Sequence, residues 1–113
     1  MNRYKVLVLT EPRPGKEVEF NDYYENLHLG EVLATTGWTT AQRFRLAGEA
    51  GEGCPLPYLA VYDAQAETAA DILAVLSETR PQRQQSDALN KRTGRVWVFE
   101  EIGPQHTHQL ATK

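Results

Sequence analysis

Apolar and polar positions change period several times along the chain. Residues 4–10, Tyr-Lys-Val-Leu-Val-Leu-Thr, are a β-type run halted by Pro12 and Pro14, which predicts a first strand. From residue 17 the period lengthens. Phe20, Tyr23, Tyr24, Leu27 and Ala34 share one face at helical spacing while Asp22, Glu25 and Asn26 project elsewhere, predicting a helix over residues 17–34 that Gly37 ends. Residues 38–46 alternate, with Trp38, Phe44 and Leu46 opposite Arg43 and Arg45, and predict a second strand. Three glycines and two prolines in residues 48–57 exclude regular structure and predict a mobile loop placed to act as a lid. Residues 58–62 predict a third strand. Asp63 is then positioned to cap a second helix over residues 66–78, with Ala69, Ile72, Leu73 and Leu76 as its buried face. Pro81 interrupts that helix, a short polar helical segment is expected up to Asn90, and residues 96–100 supply a fourth strand.

The order strand, helix, strand, strand, helix, strand is the ferredoxin-like βαββαβ plan of α+β proteins, an antiparallel sheet with helices on one face. Residues 1–102 are expected to form this single domain and residues 103–113 a polar tail. The strands carry apolar residues on both faces: Tyr4, Val6 and Val8 oppose Leu7 and Leu9, Tyr58 and Tyr62 oppose Leu59 and Val61, and Trp97 and Phe99 oppose Val96 and Val98. Helices cover only one face, so the other predicts a homodimer with two sheets packed face to face.

Composition narrows the class. A length of 113 residues suits one core. No apolar run approaches the ~20 residues that span a bilayer, and Val6-Leu7-Val8-Leu9 is too short for the core of a secretory signal, so no membrane role is expected and a cytoplasmic location is. The lone cysteine, Cys54, suits a reducing compartment and is expected to be an incidental loop thiol. Twelve basic against fifteen acidic residues argue against a nucleic-acid partner. Arg80, Arg83, Lys91, Arg92 and Arg95 cluster locally, but glutamines and Asp87 interrupt them, which predicts a solvated helix and turn.

The candidate chemistry centres on His28, at the margin of the apolar stripe one turn after Tyr24. Two readings stay open. His28 is either a partly buried histidine bonded to a carbonyl or Glu31, or a general acid or base acting near neutral pH on a carbonyl compound. In the second reading Tyr24 orients it or donates to the oxyanion. No metal is expected, because His28 and Glu31 alone do not make a site and His106 and His108 lie in the polar tail. No cofactor is expected either: the glycines at 48–53 alternate with two glutamates and open no helix. Trp38, Phe44, Tyr58, Tyr62 and Trp97 are candidate substrate-binding residues, together suited to a flat, mostly apolar ligand.

Residues 19–46, with the acidic-Phe-Asn-aromatic-Tyr start Glu19-Phe20-Asn21-Asp22-Tyr23-Tyr24, His28-Leu29-Gly30-Glu31-Val32-Leu33, Gly37-Trp38 and Arg43-Phe44-Arg45, resemble the EthD-like proteins of the dimeric α+β-barrel superfamily. Residues 57–64 and 94–102 resemble that family's third and fourth strands, and Gly30 stands where relatives commonly carry proline. The resemblance implies a homodimeric barrel and a histidine facing a pocket. The expected function is a small cofactor-independent enzyme doing acid–base chemistry (isomerisation, dehydration or cyclisation) on an aromatic or polyketide-like carbonyl compound. The alternatives are a cofactor-free monooxygenase of the same superfamily and a noncatalytic dimeric module that binds a small ligand.

Overall fold

The computed structural model describes residues 1–108. Strands β1 (Asn2–Thr10), β2 (Thr40–Arg45), β3 (Tyr58–Ala66) and β4 (Arg95–Glu100) form one antiparallel sheet in the order β2-β3-β1-β4. One long helical rod, α1 (Glu17–Tyr23) through α2 (Leu29–Thr36), and helix α3 (Ala69–Glu78) connect them, which is the ferredoxin-like βαββαβ topology. No helix among the described residues is long and apolar enough to cross a membrane.

The helix-facing side of the sheet carries Tyr4 and Val6 of β1 with Ala60, Tyr62 and Ala64 of β3, all buried. Phe20, Val32 and Ile72 close over them from the helices. Each fully buried large apolar side chain here contributes roughly 1.5–3 kcal/mol relative to exposure.

The first rod is not regular α-helix throughout. Residues Tyr24–His28 form a π-turn, and the Leu29 N–H donates to the Tyr24 carbonyl five residues back. Upstream the buried positions are Phe20, Tyr23 and Tyr24; downstream they are Leu29 and Val32, with Leu33 packed beside them. An uninterrupted α-phase would turn Gly30, Glu31 and Ala34 inward, and the extra residue of the π-turn moves the stripe by one position. Ala34 is therefore exposed, contrary to the stripe expected from the sequence. Gly37 ends the rod in the left-handed region at φ 80°, its N–H donating to the Leu33 carbonyl.

Three further boundaries depart from the expected pattern. Strand β3 runs past Asp63 to Ala66 because Asp63 and Gln65 pair with Lys5 and Arg3 of β1 and Ala64 continues the buried row. The cap of α3 is instead Thr68, whose side chain accepts from the Asp71 N–H at 3.2 Å. Ile72, Val75 and Leu76 then face the core, while Ala69 and Leu73 are exposed. Residues 83–94 hold no helix. After a single 3-10 turn at Arg80–Gln82 the chain runs back beside the end of β1, where the Asn90 N–H donates to Glu11 O (3.0 Å) and the Arg13 N–H to Ala88 O (2.7 Å). Trp38 precedes β2 rather than belonging to it, so its ring escapes the strand alternation and is buried against Tyr62.

The opposite sheet face has no helix over it. Cross-strand partners there are Phe44, Leu59 and Leu9 in one row and Val61, Leu7 and Trp97 in the next. Phe44, Trp97 and Phe99 are exposed.

Candidate functional site

A cavity of about 200 Å³ opens between the helical rod and the sheet, at the end of β1 nearest Thr10. Val8, Val32, Leu76, Leu89 and Val96 give it an apolar wall. Tyr23, Tyr24, His28, Tyr62, Thr10 and Arg83 supply the polar groups.

The π-turn creates this grouping. In an α-helix, residues five apart diverge by about 140°. Here the wider turn stacks the Tyr23 and His28 rings, with centroids 5.1 Å apart and planes 23° from parallel, and brings the Tyr23 hydroxyl 3.0 Å from His28 Nδ1. Tyr24 meets the same imidazole edge-on, with centroids 4.8 Å apart.

The Tyr23 hydroxyl also lies 2.9 Å from the Gln84 carbonyl oxygen, which accepts only, so the phenol proton is committed there. In the Tyr23–His28 contact Nδ1–H must therefore donate to the phenol oxygen. Nε2 is left unprotonated and makes no hydrogen bond among the described residues. Burial, and secondarily the charge of Arg83, holds the His28 pKa down at about 4, so the ring is neutral at pH 7. The phenols stay protonated: burial pushes Tyr24 up to about 12 and raises Tyr23 and Tyr62 as well.

Arg83 sits beneath this group and is 7% exposed. Its Nη1 donates to Thr35 Oγ1 (2.9 Å) and Thr79 Oγ1 (2.6 Å), and its Nη2 to the Leu76 carbonyl (2.8 Å). Its Nε is buried without a partner among the described residues. Burial lowers its pKa, yet a guanidinium stays charged at neutral pH. Glu31 acts on it from a distance, its Oε1 being occupied by the Gln84 N–H at 2.9 Å.

Of the residues singled out in the sequence, the structure brings His28, Tyr24 and Tyr62 together in this cavity. Trp38 lies one layer behind, its ring 5.4 Å from that of Tyr62. Tyr58 packs on Phe20 and under the Arg43 guanidinium, outside the cavity. Phe44 and Trp97 are on the uncovered sheet face, on the other side of the sheet from His28. None of residues 48–57 lines the cavity, so the expected lid loop does not border it; residues 83–94 do. The anchoring role belongs to Tyr23, which the apolar stripe assigned to packing. Arg83, expected on a solvated segment, is the buried cation. The spacing Tyr23 to His28 carries the missed signal, but only once a π-turn is known.

Among the described residues, no three His, Cys, Asp or Glu side chains are grouped to hold a metal ion. Cys54 is exposed in the β2–β3 loop. No family model matches the chain, and no curated protein or solved structure matches it.

Proposed function

We propose that the protein is a cofactor-independent acid–base enzyme acting on an enolisable, aromatic or polyketide-like carbonyl compound in the His28 cavity. One observation carries the reading: a neutral imidazole whose Nδ1–H is anchored through Tyr23 to a backbone carbonyl, leaving the Nε2 lone pair free. A neutral imidazole held by a third group in one tautomer can take a proton at its free nitrogen. Because burial makes it a weak base, its substrates are confined to those with acidic C–H groups, such as one between two carbonyls. In the reaction Nε2 takes a proton from the carbon beside the carbonyl, and the C–H electron pair moves to make an enolate. The Arg83 charge and the protonated phenols of Tyr24 and Tyr62 stabilise the developing oxyanion. Returning the Nε2 proton to another carbon gives isomerisation; giving it to a β-hydroxyl, which leaves as water as the enolate pair forms the C=C bond, gives dehydration; attack of the enolate carbon on a second carbonyl, whose alkoxide then takes the Nε2 proton, gives cyclisation. This reading agrees with what the resemblance to EthD-like proteins implies. We also infer that the uncovered sheet face pairs with that of a second copy, because Phe44, Trp97 and Phe99 are all exposed on the one sheet face that no helix covers.

The test is deuterium exchange in D2O at the carbon between the carbonyls of aromatic 1,3-dicarbonyl compounds, followed by proton NMR. The wild type is expected to accelerate exchange and His28→Ala to abolish the acceleration while keeping its fold. Equal acceleration by both contradicts the assignment. Binding without exchange supports instead a noncatalytic ligand-binding module.

A further inference from the structure

The cavity lining has an uneven charge. Arg80, Arg83, Lys91 and Arg95 all border it and no aspartate or glutamate does, in a chain with fifteen acidic residues against twelve basic. None of the four has a carboxylate within ion-pair distance among the described residues. The two ends of the cavity differ. Arg83 is buried with Nε unsatisfied, whereas Arg80, Lys91 and Arg95 are exposed at the mouth. A buried cation with no carboxylate at ion-pair distance, Glu31 acting on it only from afar, is costly to maintain, and one polarity of charge around a low-dielectric cleft focuses the field on a ligand of the opposite sign.

We propose that the ligand of this cavity is an anionic aromatic carbonyl compound, a carboxylate, whose charge is drawn in by Arg80, Lys91 and Arg95 and balanced by Arg83. Its flat apolar part lies on the wall of Val32 and Leu76. The proposal rests on the acid–base reading for the location and carbonyl class of the ligand, and adds its charge. It names what the cluster of cations near the C-terminal strand is for, where the sequence pattern suggested only a solvated surface.

The test is a matched pair of probes, 1-naphthoate and the neutral 1-naphthamide, titrated by calorimetry into the full-length protein at low salt. Naphthoate is expected to bind at least roughly tenfold more tightly, as one charge-assisted contact provides. That preference shrinks at about 0.5 M salt, where screening is strong. Because replacing buried Arg83 risks the fold, the variant used is the exposed triple Arg80→Gln, Lys91→Gln, Arg95→Gln. It is expected to weaken the naphthoate preference severalfold, the remainder being held by Arg83, while naphthamide affinity changes little. Equal affinity for the two probes, no binding of either at millimolar concentration, or a preference undiminished in the triple variant overturns the proposal. An anion preference without isotope exchange leaves this inference standing and removes the acid–base reading; exchange without the preference does the reverse.

Discussion

Acidification offers a direct handle on His28. Its ordinary pKa of 6.5 applies to the unfolded chain, and the fold lowers it to about 4, so between those values the unfolded state binds a proton that the native state does not. Stability therefore falls as pH drops through 6.5 and the loss is complete near pH 4. At about 1.36 kcal/mol per pH unit, moving from pH 7 to pH 5 costs about 2 kcal/mol. Water at the exposed edge of the ring screens this to about 1–2 kcal/mol, or several degrees in Tm for a domain of this length. Stopping at pH 5 keeps most carboxylates ionised, and His28→Gln supplies the reference, because glutamine can still bond the Tyr23 hydroxyl and does not titrate. Urea denaturation of both proteins at pH 7 and pH 5 is expected to show the extra loss in the wild type alone. An equal loss in both would mean that the imidazole is not held uncharged by the fold.

Three other outcomes follow from the same geometry. Tyr23→Phe removes the acceptor for His28 Nδ1–H and the donor to Gln84 O, and is expected to cost about 1–3 kcal/mol in urea denaturation, with the tautomer preference of His28 weakened in its NMR spectrum. Gly37→Ala forces a Cβ into the left-handed region at φ 80° and is expected to lower stability by about 1 kcal/mol by thermal denaturation, although nothing lies within 4 Å of the added carbon. Trp97→Lys puts charge on the uncovered sheet face, and sedimentation at micromolar concentration is expected to show a dimer for wild type and a monomer for the variant; a monomeric wild type would contradict the inferred pairing.

The strands and the βαββαβ order were legible because their signals are local: runs of β-branched, leucine and aromatic residues at 4–10, 58–62 and 96–100, alternation at 38–46, and turn residues between them. Asp63 misled because a carboxylate before a helical pattern looks like a cap, whereas cross-strand pairing with Lys5 kept it in β3. His28 stood out as a lone imidazole on an apolar margin. What held it did not, because Tyr23 and His28 converge only through a π-turn, which shows in sequence as no more than a one-residue slip of the stripe to Leu29 and Val32. Arg83 was illegible for a different reason. Its partners Thr35, Thr79 and Leu76 come from two helices, and only tertiary packing makes that segment an interior wall.

His28 is expected to present an unprotonated Nε2 to the cavity at neutral pH. Long-range proton–nitrogen correlation NMR of the uniformly labelled protein at pH 7 reads both imidazole nitrogens of each histidine, with His28→Gln assigning the signal. A pyrrole-type Nδ1 and a pyridine-type Nε2 for His28 are predicted. An Nε2–H tautomer, or a charged imidazolium, would contradict the account.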